Sequence, residues 1–402
     1  MKLKQAVRDT MGQEGFDPDY WTGANDNNEE EIEDNPDAII TASTSVQQEN
    51  YLNVDFNKHP QLKSYCKKLK ELLNHNMEQC RHACNMLEWN IVDYELFSKT
   101  IWPDKILLKS SNISVPRFNI NGTLALLKQK DQRIYTLIKI IRSLLEKNKI
   151  KDYSEWFDWL FKRHTSANYY DIDVGTVVKA ILTVMLYLPP THVDESGSNA
   201  KMALWAEIFS TIFNLHLDRE LAPIWEITHS IPGYIKEGPF ISDFTAVITN
   251  QDGSWQYPFL LAEFASENAA KHKIVTIYKA AYELNRILLS VHNLTEREVN
   301  KTRLHVATAS GTTVCFDTIT PVFREQDSAL IYVYKHEHTF KLRQSDMESS
   351  VEDALRLITY LRETVRADGL WIKSILNRNH KASNTVSKLQ DALPRLFFKT
   401  NE

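Results

Sequence analysis

Two acidic residues stand inside apolar segments of strand length, at positions where carboxylates could bind a metal. Asp243 lies in ISDFTAVITN and Glu263 lies 20 positions later in FLLAEFA. The Asn-Gln-Asp-Gly sequence between them is typical of a turn joining two antiparallel strands. A carboxylate in a buried strand is costly unless it is paired or binds a cation. We therefore expect Asp243 and Glu263 to lie at the ends of adjacent strands and to share one divalent metal.

The elements that would position these acids follow from hydrophobic periodicity. A helix is expected over residues 201–215, before the first strand at 221–231, and a second helix over 269–291, after the strand that carries Glu263. The later part of the chain alternates as three strands and ends in a long helix: 303–309, 312–319, 329–336 and 351–376. The predicted order from residue 200 is therefore αβββαβ, followed by a hairpin and a helix.

An acid on one strand, an acid on the next strand and a helix after it resembles the PD-(D/E)XK nuclease superfamily. The resemblance covers about residues 195–376. It implies an α+β fold with a restriction-endonuclease-like core within residues 191–380. It also implies Mg²⁺ or Mn²⁺ at Asp243 and Glu263, with Glu207 of the preceding helix as a further metal ligand. The segment ESGSNAKMALWAEIF and the strand–helix end are also similar to a group of proteins from mucoralean fungi.

The chain departs from the superfamily pattern at the lysine, which follows the second acid by two positions. Ala265 stands there. Lys271 and Lys273, early in the next helix, are the catalytic candidates to replace it, and Lys271 is preferred because it is nearer the strand end. Both lysines could instead lie on a solvated face, with Lys271 paired to Glu267.

Structural roles are open for the acids as well. Asp243 could cap a turn or pair with an arginine, Glu263 could be structural, and a helical Glu207 could pack or pair without touching a metal.

Phosphodiester cleavage requires an activated water and neutralisation of the charge that builds on the phosphate. The sequence therefore predicts a metal-dependent nuclease, or a degenerate relative that binds nucleic acid without cutting. The alternative is a non-catalytic protein-interaction module on the same fold. Its protein partner would dock on the helical region predicted for residues 51–190, where DYSEWFDWLFKRH is rich in aromatic residues.

Charge is unevenly distributed over the 402 residues. Residues 1–50 carry a net charge of −9 and few apolar side chains, which favours a disordered acidic tail. The remainder carries +4, which permits nucleic-acid binding without implying it. Residues 381–402 are expected to form a C-terminal tail.

The sequence gives less support to a disulfide scaffold, to other metal sites, and to a membrane or secreted location. Four cysteines are too few for a disulfide scaffold, and zinc at Cys80 and Cys84 lacks a second ligand pair at finger spacing. His336 and His338 alternate along a strand, where a metal role competes with a solvent-facing strand end. The sequence shows no apolar run of 18 residues and no secretory h-region. An intracellular protein, cytoplasmic or nuclear, is expected, and the oligomeric state is left open.

Overall fold

The structure is a computed structural model, and the chain divides into two units, Met1–Asn53 and Val54–Glu402. All described residues belong to the second unit. The structure describes residues 65–66, 69, 71, 83–84, 86–87, 89–94, 125, 128–129, 132–146, 155, 158–159, 161–162, 172–187, 204–213, 221–229, 240–249, 256–265, 269–291, 294–325, 329–342 and 347–378. The predicted tails at 1–50 and 381–402 lie outside this part of the chain.

Seven strands form one mixed sheet in the order β1-β7-β6-β5-β4-β3-β2. The strands are β1 Ile91–Asp93, β2 Leu221–His229, β3 Phe240–Thr249, β4 Gln256–Ala265, β5 Leu304–Ser310, β6 Thr313–Arg324 and β7 Ala329–Lys341. The pairs β2–β3, β3–β4, β5–β6 and β6–β7 are antiparallel. The pairs β4–β5 and β1–β7 are parallel.

Helices flank this sheet and complete a mixed α/β architecture. They are α1 Gln132–Glu146, α2 Ile172–Tyr187, α3 Ala206–Ile212, α4 Ala269–Ser290, α5 Glu296–Lys301, α6 Met347–Tyr360 and α7 Arg366–Arg378. A π-helical segment, Leu361–Val365, joins α6 to α7. No helix in the described part of the chain is long and apolar enough to cross a membrane.

Aromatic side chains fill the space between α3 and the middle strands. Phe209 of α3 stacks on Phe244 of β3 at 5.2 Å between ring centroids. Phe213 meets Phe244 and Phe259 at 6.3 and 5.6 Å. All four rings are fully or nearly fully buried, so α3 is held to the sheet by apolar packing.

A polar network ties α7 to the start of β5. His305 is fully buried, and its Nε2 lies 2.7 Å from Asp368 Oδ2 while its Nδ1 lies 3.1 Å from the Tyr360 hydroxyl. The Arg303 guanidinium also donates to Asp368. Burial would raise the pKa of Asp368, but the hydrogen bond from His305 and the charge of Arg303 outweigh it and lower that pKa.

The α+β prediction is confirmed at the level of a mixed sheet flanked by helices. The strand after Ala269–Ser290 runs parallel to β4 because a helical crossover returns the chain to the same end of the sheet. The long helix expected at 351–376 is instead two helices joined by the π-helical segment.

Candidate functional site

Asp243 and Glu263 occupy neighbouring positions on the paired strands β3 and β4. The β3–β4 register runs to Phe244 opposite Ala262, and Asp243 and Glu263 are the next residues of the two strands. The negative charge of Asp243 acts on the Glu263 carboxyl group, which indicates that the two groups are close. Asp243 Oδ2 also accepts a hydrogen bond from the Phe264 backbone N–H at 2.7 Å. The two carboxylates predicted to act together are therefore neighbours.

A lysine outside the set predicted from the sequence reaches Glu263. Lys279 of α4 donates from Nζ to Glu263 Oε1 at 2.6 Å and to the Ile241 backbone oxygen at 2.5 Å. The Lys279 and Glu263 side chains are only 4% and 8% exposed. An ammonium group has three N–H donors, and these two bonds use two of them. The site therefore combines two acids with one buried cation.

The environment of Glu263 raises its pKa above the ordinary value. Burial is the largest cause, and the negative charge of Asp243 acts in the same direction. The charge and hydrogen bond of Lys279 oppose this shift, as does a hydrogen bond from Ser242. Burial prevails, so the carboxyl group holds its proton more tightly than an exposed glutamate would.

A second set of polar side chains continues from this pair. Ser242 Oγ lies 2.9 Å from His229 Nε2, and His229 Nδ1 lies 2.8 Å from Glu283 Oε1. Arg286 then bonds the other oxygen of Glu283 at 2.5 Å. The Ser242 residue is completely buried, and the His229 and Glu283 side chains are 1% and 3% exposed. We call Ser242, His229 and Glu283 the histidine relay.

Two structural elements bring the histidine relay to the acids. Lys279 and Glu283 are one helical turn apart on α4, so both side chains leave the same side of the helix. His229 ends β2, the strand beside β3. In β2, Glu226 has φ 55°, in the left-handed region that is uncommon for residues other than glycine, and this interrupts the regular strand.

Aromatic rings support the backbone next to Asp243. Phe264, whose N–H binds Asp243, stacks on Trp225 of β2 at 6.1 Å between centroids. Trp225 also meets Phe244 edge-on at 4.8 Å. These contacts fix the backbone that orients the Asp243 carboxylate.

The remaining residues selected from the sequence lie elsewhere or outside the described side chains. Glu207 lies on α3 with its side chain 54% exposed, and its carboxylate is 3.9 Å from the Lys179 ammonium of α2. Lys271 and Lys273 belong to the first turns of α4, but their side chains are outside the described part. Ala265, at the superfamily's lysine position, is the last residue of β4.

The histidines considered for a second metal site have other environments. His336 Nδ1 lies 2.8 Å from Asp317 Oδ1 in a cross-strand pair. Burial lowers the pKa of His338 to about 4, so its ring is neutral near pH 7. Cys84 is a buried free thiol, whereas Cys80 lies outside the described residues.

The donor set at Asp243 and Glu263 suits a hard divalent cation. Mg²⁺ is commonly bound through one or two carboxylates, with waters and substrate oxygens completing its octahedron. The described residues contain no cluster of three or more His, Cys, Asp or Glu side chains arranged around a metal position. A metal here would therefore rest on the two carboxylates, and Glu263 would have to share its charge between that metal and Lys279.

Comparisons with known proteins give no further assignment: no family model, no curated protein and no solved structure matches the chain.

Proposed function

We propose that the protein is a metal-dependent nuclease-like protein that acts on or binds nucleic acid. Its catalytic residues would be Asp243, Glu263 and Lys279. The observation that carries the proposal is the buried Lys279 ammonium on Glu263, beside Asp243, at the ends of adjacent strands. Two neighbouring acids, one of them paired with a lysine, are the kinds of group that the superfamily uses, and here no lysine stands at position 265.

The topology around the site supports this proposal. Strands β2, β3 and β4 form an antiparallel meander, α4 follows, and β5 returns parallel to β4. Helix α3 precedes the meander and packs on it through Phe209. This αβββαβ order is the one implied by a restriction-endonuclease-like core, to which β6, β7 and α6 would be additions.

The two carboxylates are the proposed metal ligands. When bound, Mg²⁺ or Mn²⁺ would supply an activated water and neutralise charge on the phosphate. Asp243 and Glu263 would hold it through carboxylate oxygens, and their two negative charges exceed the single positive charge of Lys279. A divalent cation would therefore still be attracted to the site.

Lys279 would act through its charge. Its ammonium already donates to two oxygen atoms, and the third N–H can bind a phosphoryl oxygen or the attacking water. In the reaction, the water oxygen bonds to phosphorus, the bond to the leaving oxygen breaks, and that oxygen takes up a proton. A cation beside the phosphate stabilises the charge that develops in this transition state.

The test is cleavage of single- and double-stranded DNA and RNA with Mg²⁺ or Mn²⁺. We expect wild-type cleavage, and a fall in kcat of about 10²-fold or more in Lys279→Met with KM little changed. Lys273→Met, on the same helix, is the control and should retain activity. Lys271→Ala tests the sequence-based choice: if it abolishes cleavage and Lys279→Met does not, the catalytic lysine is Lys271.

A second candidate function is a non-catalytic protein, and two observations favour it. Lys279 already neutralises Glu263, as a structural counter-ion would in a degenerate site. Phe161, in the aromatic segment of the predicted helical region, is 47% exposed and could contact a protein partner. A wild-type protein that binds nucleic acid without cutting it would be a degenerate relative. One that binds neither metal nor nucleic acid would be an interaction module.

A further inference from the structure

We propose that the substrate is single-stranded nucleic acid and that Trp225 stacks on one of its bases. A phosphate of the strand would lie at Asp243, Glu263 and Lys279, while a neighbouring base lies against the indole ring. The inference rests on the proposed function, since it names the substrate class of the same site. It also gives a role to part-exposed aromatic rings that the proposed chemistry does not use.

Two part-exposed aromatic residues lie directly beside the acids. Phe264 follows Glu263 in β4, and its backbone N–H donates to Asp243 Oδ2 at 2.7 Å. Its ring stacks on Trp225 of β2 at 6.1 Å between centroids, with 26° between the two planes. Both aromatic residues are half-buried, so the core does not enclose them fully. An aromatic surface therefore begins one residue away from the proposed metal ligands.

Packing on its inner side holds the Trp225 ring in place. The ring meets Phe244 edge-on at 4.8 Å, and Phe244 is fully buried. A tryptophan held in this way loses little conformational freedom when a base stacks on it. Ile241, two residues before Asp243 in β3, is 46% exposed and adds apolar surface at the same end of the strand.

The backbone of β2 is irregular next to Trp225. Glu226 has φ 55°, in the left-handed region that is uncommon for residues other than glycine. Between its first and last pairs, the β2–β3 register omits only Glu226 and Asp243. Residues held in such conformations cluster at active sites and ligand-binding sites. The irregular step thus falls where Trp225 adjoins the carboxylate site.

Stacking on an aromatic ring selects unpaired nucleotides. Every base has a π-face that can stack on an aromatic side chain, so this contact tolerates different sequences. In a duplex the neighbouring base pairs cover these faces, and a base must leave the stack before a protein ring can reach it. The Lys279 ammonium supplies the positive charge that attracts the phosphate of the same strand.

The experiment measures binding of fluorescently labelled strands to the full chain by anisotropy, with Ca²⁺ in place of Mg²⁺ to slow cleavage. The probes are oligothymidine, oligouridine, a DNA duplex of the same length and an abasic strand of the same length. Wild type should bind at least one of the two strands that carry unpaired bases about 10-fold more tightly than the abasic strand and the duplex, because one stacked base typically contributes about that much to affinity.

Variants then assign the preference to one ring, with folding checked by circular dichroism. Trp225→Leu should weaken binding of the strands that carry bases by about 10-fold and leave binding of the abasic strand unchanged. Trp225→Phe keeps an aromatic ring and should retain most of the preference. The matched control is Trp371→Leu, because Trp371 is a half-buried tryptophan of α7 with the Lys301 ammonium 3.7 Å from its ring centroid. It should change none of the affinities.

The outcomes separate this inference from the proposed function. Equal wild-type affinity for the abasic strand and for both base-carrying strands would overturn the stacking role without the use of any variant. A folded Trp225→Leu protein that keeps the preference would overturn it as well, and equally tight binding of the duplex would overturn the choice of a single strand. If wild type binds no strand at all, the proposed nucleic-acid function fails, and the stacking role fails with it.

Discussion

Replacing Lys279 with methionine should destabilise the protein in a pH-dependent way. Methionine has a similar length and no charge, so the main change is the loss of the ammonium that contacts Glu263 at 2.6 Å. Both side chains are more than 90% buried. Removing one partner of a buried ion pair typically costs about 3–5 kcal/mol, because the other charge is left uncompensated.

The carboxyl group can reduce that cost by taking up a proton. Burial already raises the pKa of Glu263, and loss of the opposing Lys279 charge should raise it further. A carboxyl whose folded pKa exceeds its unfolded pKa, about 4.3, stabilises the folded state most below the unfolded value. That stability is lost as pH rises toward the folded pKa. Lys279→Met should therefore cost about 1–2 kcal/mol at pH 5, mainly a lost hydrogen bond, and approach about 3–5 kcal/mol at pH 8.

The measurement is urea denaturation of wild type and Lys279→Met at pH 5, 6.5 and 8, followed by tryptophan fluorescence. The control is Lys279→Met combined with Glu263→Gln, which removes the titrating group. The double variant should differ from wild type by a nearly pH-independent amount. An equal loss at all three pH values in the single variant would show that Glu263 does not take up a proton in place of the Lys279 charge. So would a double variant as pH-dependent as the single one.

Three further outcomes are expected. Deleting residues 1–50 should leave the melting temperature of the remaining chain unchanged, and a marked drop would contradict this. If this segment, with a net charge of −9, screens the rest of the chain, its deletion should also tighten nucleic-acid binding at low salt. Asp368→Asn should reduce the loss of stability in acid, because the lowered pKa of Asp368 contributes stability that is lost as pH falls through it; unchanged acid unfolding would exclude this contribution. Gly369→Ala should cost about 1–3 kcal/mol in urea denaturation, since its Cβ would lie 2.8 Å from the Phe259 ring, and a neutral result would mean that the ring moves aside easily.

The strands around the site could be predicted because their sequences are nearly continuous apolar runs. The alternation in β5 and the Asn-Gln-Asp-Gly turn between β3 and β4 are local signals, read without knowledge of the fold. The same signals placed Asp243 and Glu263 at comparable positions on neighbouring strands. The lengths of β6 and β7 were underestimated, since the residues beyond the predicted ends include Pro321 and Arg324 in β6 and Lys341 in β7.

Lys279 could not be selected from the sequence. Lys279 and Glu283 are four residues apart, which is also the spacing of an ordinary surface ion pair on a helix. Their neighbours gave the only local signal, since Ile277, Ala280 and Ala281 suggest a helix with little exposed surface. Burial of both charged groups follows from α4 lying against β4 and β5, which is a long-range property.

His229 and Ser242 carried no usable sequence signal. They are 13 residues apart, on β2 and β3, and they meet Glu283 from a third element 41 residues further on. Only the strand pairing and the crossover helix bring them together. Glu207 was predicted as a metal ligand because it lies on the helix before the first strand, as the superfamily resemblance implies. In the structure its side chain lies on the exposed side of α3.

Anomalous diffraction from crystals grown with Mn²⁺ would locate the proposed metal. We expect a manganese peak about 2.1 Å from an oxygen of both Asp243 and Glu263, with Lys279 still within hydrogen-bonding distance of Glu263. Saturating Mn²⁺ with no peak at these residues would contradict a shared metal site. Carboxylates more than about 8 Å apart, too far to share one ion, would contradict it equally.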